Sequence, residues 1–256
     1  MKIALVGSGR VASCIGPHLK ENGYLIAGVY SRTIRNAGEL AERVDAWACD
    51  RLEQLPNADV YLTMLSDDAL IQLAPAIVKG RENALFLHTA GSIPMDIWKD
   101  AGARRYGVLY AMQTFSKGVQ VKWEQVPVFI EGSSDAELEI VRELALALSP
   151  LVTPLSSAGR RKLHVAAVFA CNFTNRMYAI SEQLLSEEGV PFSVMLPLVR
   201  ETARKVESMS PALAQTGPAV RGDRKVVDGH LELLKEHPDY ADIYRLISTD
   251  INKKLK

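Results

Sequence analysis

The sequence predicts an α/β domain followed by an all-helical domain, and three observations predict it. Short β-branched runs alternate with amphipathic stretches through the first half, as in a parallel sheet wrapped by helices. The first of these runs ends in a glycine turn that opens a helical pattern. After Ser149-Pro150 the apolar period becomes helical throughout, which places the boundary between residues 1–152 and 153–256.

Strands are expected over Lys2 to Val6, Leu25 to Tyr30, Val60 to Leu65, Ala84 to His88, Arg105 to Tyr110 and Val126 to Ile130. Each is a β-branched or aromatic run bounded by turn residues. Val11 to Glu21, Asn36 to Arg43, Asp68 to Val78 and Asp135 to Leu148 carry the helical period between or after them. Ala158 to Glu188, Ser193 to Ser208, Asp223 to Glu236 and Asp239 to Asn252 are the helices of the second half. Gly189-Val190-Pro191, Pro211 and Gly217-Pro218 punctuate them.

The bulk composition sets limits on partners. The 256 residues are 48% hydrophobic and 23% charged, with Lys plus Arg and Asp plus Glu at 30 each. A balanced charge recruits neither nucleic acid nor an anionic membrane, so no such partner is expected. The apolar start is too short for a signal peptide, and no run approaches the roughly 18 apolar residues of a membrane span, so a cytoplasmic protein is expected. Cys14, Cys49 and Cys171 lack metal spacing and read as packing residues. No metal site is expected among the five histidines.

Gly7-Ser8-Gly9-Arg10-Val11-Ala12 fits G-x-G-x-x-[GA] between the first strand and first helix. That context makes the sheet a doubly wound parallel Rossmann sheet and the turn a dinucleotide site. Gly7 allows the tight turn, Gly9 lets a pyrophosphate approach the backbone, and Ala12 keeps helix and sheet close. NAD sites carry an acidic residue roughly 20 positions further on. Here Ser31, Arg32 and Thr33 follow the second strand, a cation and two hydroxyls suited to a 2′-phosphate, so NADP(H) is favoured over NAD. Arg32 as a solvated loop cation is the alternative.

Further residues fall at predicted carboxyl ends of strands. Leu65 and Ser66 are placed along the cofactor, and Asp67 or Asp68 is read as a helix N-cap. His88 is either a titrating group near a substrate or a structural donor, while Thr89 and Gly91 shape the nicotinamide side. In the helical half His164, Asn172 and Asn175 lie at i, i+8 and i+11, on one face at about 100° per residue. The face reads either as a substrate pocket, with His164 as general acid or substrate anchor, Asn172 as a catalytic carbonyl or amide partner and Asn175 as a substrate contact, or as a buried bonding network. Arg221 suits a carboxylate or phosphate of the substrate, and Asp223 suits an N-cap.

The glycine turn, Tyr30-Ser31-Arg32-Thr33, His88-Thr89-Ala90-Gly91, Gln113-Thr114-Phe115, Ala166-Ala167 through Asn172, Thr216-Gly217-Pro218 and Arg221-Gly222-Asp223 together resemble one family. It comprises Rossmann-like proteins related to pyrroline-5-carboxylate reductase and deazaflavin-dependent NADP oxidoreductase, whose C-terminal half is a domain of unknown function. The resemblance implies a helical C-terminal domain like that of 6-phosphogluconate dehydrogenase, commonly dimeric, and an NADP site. Two departures limit it. Relatives often carry His-Pro before Gln-Thr-Phe where this chain has Tyr110-Ala111-Met112. Hydroxyacid dehydrogenases of the wider group place Asn soon after a helix Lys, whereas Ala166 follows Lys162 here.

The function expected is reduction of a small carbonyl or imine compound at a cleft between the domains. The rivals are a non-catalytic NADP-binding sensor or scaffold and, more remotely, a metal-dependent hydrolase.

Overall fold

The computed structural model describes residues 1–116 and 118–254. They form two compact units, Met1–Val168 and Phe169–Lys256.

The first unit is built on one eight-stranded sheet. Its strands are β1 (Lys2–Val6), β2 (Leu25–Tyr30), β3 (Trp47–Cys49), β4 (Val60–Thr63), β5 (Leu85–His88), β6 (Arg105–Ala111), β7 (Val128–Gly132) and β8 (Val152–Pro154). Their order is β3-β2-β1-β4-β5-β6-β7-β8, with every pair parallel except β6 and β7. Chain order reverses between β1 and β4, so the crevice beyond their carboxyl ends is the topological switch point where such sheets bind ligands.

The alternation of the strands decides which helices they meet. Ile3, Leu5, Val60, Leu62, Leu85 and Leu87 face α1 (Arg10–Glu21), α2 (Ile34–Val44) and α5 (Asp135–Leu148) in one core. Ala4, Val6, Tyr61 and Phe86 face the other way, toward α3 (Asp67–Val78) and α4 (Ile97–Asp100). Both faces are covered, which is why these strands read as continuous apolar runs. Each fully buried side chain of the size of Ile15 or Leu19 contributes about 1.5–3 kcal/mol. Ser134 is the N-cap of α5: its hydroxyl accepts from Glu137 N at 3.4 Å and also donates to the Glu137 carboxylate.

The first unit runs past residue 152 to include α6 (Ser157–Ala167), capped by Ser156 Oγ accepting from Gly159 N at 3.2 Å. The uninterrupted α-helix expected from Ala158 to Glu188 is corrected. A π-helical segment, Val168–Phe173, separates α6 from α7 (Thr174–Glu187). A π turn closes i→i+5 bonds and changes the angle per residue. A face reckoned at a uniform helical period therefore does not carry from His164 to Asn172 and Asn175.

The second unit contains α7, α8 (Leu196–Ser208), α9 (Pro211–Ala214), α10 (Pro218–Arg221), α11 (Arg224–Leu233) and α12 (Pro238–Lys254). Gly222, in the left-handed region at φ 67°, ends α10, and Asp223 caps α11 by accepting from Val226 N at 3.3 Å. Asn252 Nδ2 donates to Ala219 O at 3.1 Å and ties α12 to α10. An apolar pocket of about 370 Å³ lies within this unit between α7 and α12, beside Thr216 and Gly217. No helix among the described residues is long and apolar enough to cross a membrane.

Candidate active site at the carboxyl edge of the sheet

The glycine turn is shaped for close approach. Gly7 sits at φ 119°, and a Cβ there would lie 2.4 Å from the Met64 carbonyl oxygen, so only glycine fits. Leu65 packs on the same turn, its Cδ2 3.4 Å from that Cβ position. Gly9 is the N-cap of α1, provides no side-chain cap, and has nothing among the described residues within 4 Å of its own Cβ position. The first N–H groups of α1, beginning at Arg10 and Val11, lack intrahelical acceptors, and no acidic residue stands in that turn. Free N–H groups at the positive end of a 12-residue helix, reached past an open glycine, suit a pyrophosphate.

The end of β2 is fastened to this turn. Gly7 N donates to Tyr30 O at 2.8 Å, and Ser8 Oγ donates to Ser31 Oγ at 2.8 Å. Arg32 and Thr33 are exposed. Thr33 is the N-cap of α2, yet its hydroxyl makes no capping bond. Arg32 takes part in no ion pair among the described residues. A dinucleotide with a 2′-phosphate therefore fits the residues present: an open glycine, the first N–H groups of a helix, and a cation held in no ion pair among the described residues.

At the end of β4 the N-cap of α3 is Ser66, and Asp67 and Asp68 occupy its first turn. This corrects the assignment of the aspartates as caps. Their charge still suits the helix N-terminus, and Asp67 accepts a hydrogen bond from Ser92 Oγ.

His88 has no exposed surface. Its Nδ1 accepts from Ala90 N at 3.2 Å, which leaves the ring proton on Nε2, where no hydrogen-bond partner stands among the described residues. Burial, assisted by the Arg160 guanidinium and only partly offset by the Pro94 carbonyl, pushes its pKa down to about 3. A proton donor to a substrate needs surface facing it, so the catalytic role expected for His88 is not carried forward.

The loop after β5 is held instead by Arg160, which is 1% exposed. Its Nη1 meets Glu131 Oε2 at 2.7 Å, Nε donates to Ala90 O at 3.2 Å, and Nη2 donates to Ile93 O at 2.5 Å and Ser157 Oγ at 3.2 Å. Glu131 is completed by Ser157 N at 2.8 Å and Ser157 Oγ at 2.6 Å. A buried ion pair persists only when its remaining hydrogen-bonding capacity is met, and here both partners are bonded several times.

One turn further along α6, His164 Nδ1 lies 3.2 Å from Tyr110 Oη, with the two rings edge-on at 74° and 6.2 Å between centroids. Gly91 closes the third side: a Cβ there would stand 2.6 Å from His164 Nδ1. Burial raises the Tyr110 pKa, against a smaller opposing pull from Arg160, and keeps the phenol protonated. Tyr110, Gly91 and His164 thus form a corner at the carboxyl ends of β5 and β6.

Among the other candidates, Thr89 is half-buried, its N–H donating to Thr63 O at 3.2 Å, and Asn172, Asn175 and Arg221 are exposed. Within the second unit His230 Nδ1 meets Tyr244 Oη at 2.8 Å, and His237 meets Glu187 at 3.0 Å. Reading the sequence missed Tyr110 and Arg160. The available signals were the i, i+4 spacing of Arg160 and His164, and the place of Tyr110 at the carboxyl end of its strand, where His88 was noticed.

The sheet order, the glycine turn at the switch point and the open N-terminus of α1 define a Rossmann-type dinucleotide-binding protein. Residues 126–251 match the family described as a domain of unknown function, DUF2520. The crystal structure of BF3122 from Bacteroides fragilis, described as a putative NADP oxidoreductase, superposes with a TM-score of 0.93 at 44% identity over 98% of both chains. The chain belongs to the family of BF3122. The 1-pyrroline-5-carboxylate reductase of Streptococcus pyogenes shares the fold, with a TM-score of 0.61 at 15% identity over 99% of this chain and 98% of that one. Glutamyl-tRNA reductase of Shewanella frigidimarina is 26% identical over 157 residues, 56% of this chain and 38% of that enzyme. The chain thus matches well under half the length of its curated relatives.

Proposed function

We propose that the protein is an NADP(H)-dependent oxidoreductase that reduces a small carbonyl or imine compound. The observation that carries this reading is the Tyr110–His164 pair, at the same sheet edge as the open glycine turn. Bound NADPH supplies the hydride. The chain's residues bind it and provide the proton: Gly7, Ser8, Gly9, Arg10 and Val11 receive the pyrophosphate, Ser31, Arg32 and Thr33 the 2′-phosphate, and Leu65, Ser66, Thr89 and Gly91 line the remainder. A hydride acceptor of the C=O or C=N type gains a proton on its heteroatom as it is reduced, and His164 is the residue we assign to donate it.

Asn172, Asn175 and Arg221 are proposed as substrate contacts from the helical unit, whose partner is a second copy of the chain. Phe169, Leu198, Leu213, Leu233 and Leu246 of this unit are exposed and support that reading, because apolar surface left open is what a partner covers. A panel of small ketones, aldehydes and cyclic imines, followed by loss of NADPH absorbance, tests the reaction. Turnover that falls at least tenfold in His164→Ala with NADPH affinity intact supports it. Tight NADPH binding with no turnover on any compound would instead favour a sensor.

A further inference from the structure

The geometry points to Tyr110 as the positioning residue that makes His164 an Nε2–H donor and then refills it with a proton. This rests on the proposed reduction for its catalytic half, but not for its structural half.

The argument begins with the phenol. Tyr110 is 9% exposed, and a buried hydroxyl must send its proton to an acceptor or lose that bond. The only hydrogen-bonding partner of Oη among the described residues is His164 Nδ1, at 3.2 Å. Arg160, one turn away on α6, carries only donors and is committed to Glu131, Ser157, Ala90 and Ile93. The phenol therefore donates to Nδ1. A neutral imidazole with Nδ1 accepting carries its proton on Nε2, the ring nitrogen without a protein partner among the described residues. Gly91 makes this arrangement possible, since any side chain there would occupy the place of the ring.

The charge balance of the transfer also closes. When the substrate carbon is reduced, Nε2–H of His164 would pass to the carbonyl oxygen or imine nitrogen. The phenolic proton crosses to Nδ1, so the ring ends neutral with its proton on the other nitrogen. The resulting phenolate lies in the field of the Arg160 guanidinium, whose partner Glu131 is the carboxylate on the adjoining strand, and the pair resets when water protonates Nε2 and Nδ1 returns its proton to the phenolate. The histidine alone would be left as an imidazolate, which the phenol prevents.

The test uses the whole protein labelled with ¹⁵N-histidine at about pH 8, where an unperturbed imidazole is neutral, with the His164 signals assigned by their loss in His164→Gln. Wild type is expected to show His164 as the Nε2–H tautomer without any ligand, and Tyr110→Phe to shift it to a mixture with Nδ1–H. The Nδ1–H form in wild type, or the same tautomer in both proteins, would overturn the pairing. With a substrate from the panel, Tyr110→Phe should lower kcat by about 10²-fold, the usual scale for a lost proton-transfer group, and leave the KM for NADPH unchanged. An unchanged kcat would overturn the relay. If wild type oxidises NADPH with no carbonyl or imine, the proposed function fails and the relay with it, while the tautomer spectrum judges the pairing separately.

Discussion

The imidazole of His164 occupies the space that a side chain at position 91 would fill, with Nδ1 2.6 Å and Cγ 2.8 Å from the Cβ position of Gly91. Gly91→Ala should therefore push the ring out of the corner while the glycine turn stays intact. The expected cost in stability is that of overpacking, about 1–3 kcal/mol. Turnover should fall at least tenfold. Steady-state kinetics beside urea denaturation checks this, and turnover equal to that of wild type in a folded variant would contradict it.

Arg160 and Glu131 make a second prediction, on folding. Arg160→Met leaves Glu131, which is 17% exposed, without its cation and frees the Ala90 and Ile93 carbonyls. Breaking such a pair on one side costs about 3–5 kcal/mol. Replacing both partners, Arg160→Met with Glu131→Gln, should recover part of the loss, because no uncompensated charge then remains. Urea denaturation of the three proteins measures it, and equal midpoints for Arg160→Met and wild type would refute the clamp.

His88 gives a pH prediction. Its folded pKa is about 3, against an ordinary value of 6.5, so between those limits the unfolded chain binds the proton and the folded chain does not. Stability from this group is full above 6.5 and is lost as pH falls toward 3, with a limiting slope of about 1.4 kcal/mol per pH unit. His88→Asn should flatten that slope in thermal or urea melts between pH 4 and pH 6.5. A slope as steep as wild type would place the titration elsewhere.

The parts of the fold that local chemistry dictates were legible in the sequence. Lys2–Val6 and Leu25–Tyr30 appear with the expected bounds because β-branched runs end at turn residues. Three-residue strands such as Trp47–Cys49 and Val152–Pro154 were missed, since pairing with a neighbour, not composition, makes them strands. The reversal of β7 was equally hidden, because its direction shows in the pairing with β6 and not in its composition. The π-helical turn at Val168–Phe173 leaves no mark in the apolar pattern, and it undid the shared face drawn through His164 and Asn172. Tyr110 and Arg160 were overlooked because their importance lies in contacts with residues 54 and 70 positions away.

The central claim is an NADP(H) site whose preference is set at the end of β2, and the direct measurement is calorimetric titration of NADPH and NADH into wild type and Arg32→Ala. Wild type should bind NADPH more tightly than NADH. Arg32→Ala should weaken NADPH by about 10- to 100-fold, the worth of a charged hydrogen bond of about 1.5–3 kcal/mol, and leave NADH unchanged. NADPH near 100 times its Kd should also stabilise the wild-type fold by about 2.7 kcal/mol. Binding of neither nucleotide, or an NADPH preference untouched in Arg32→Ala, would contradict the account.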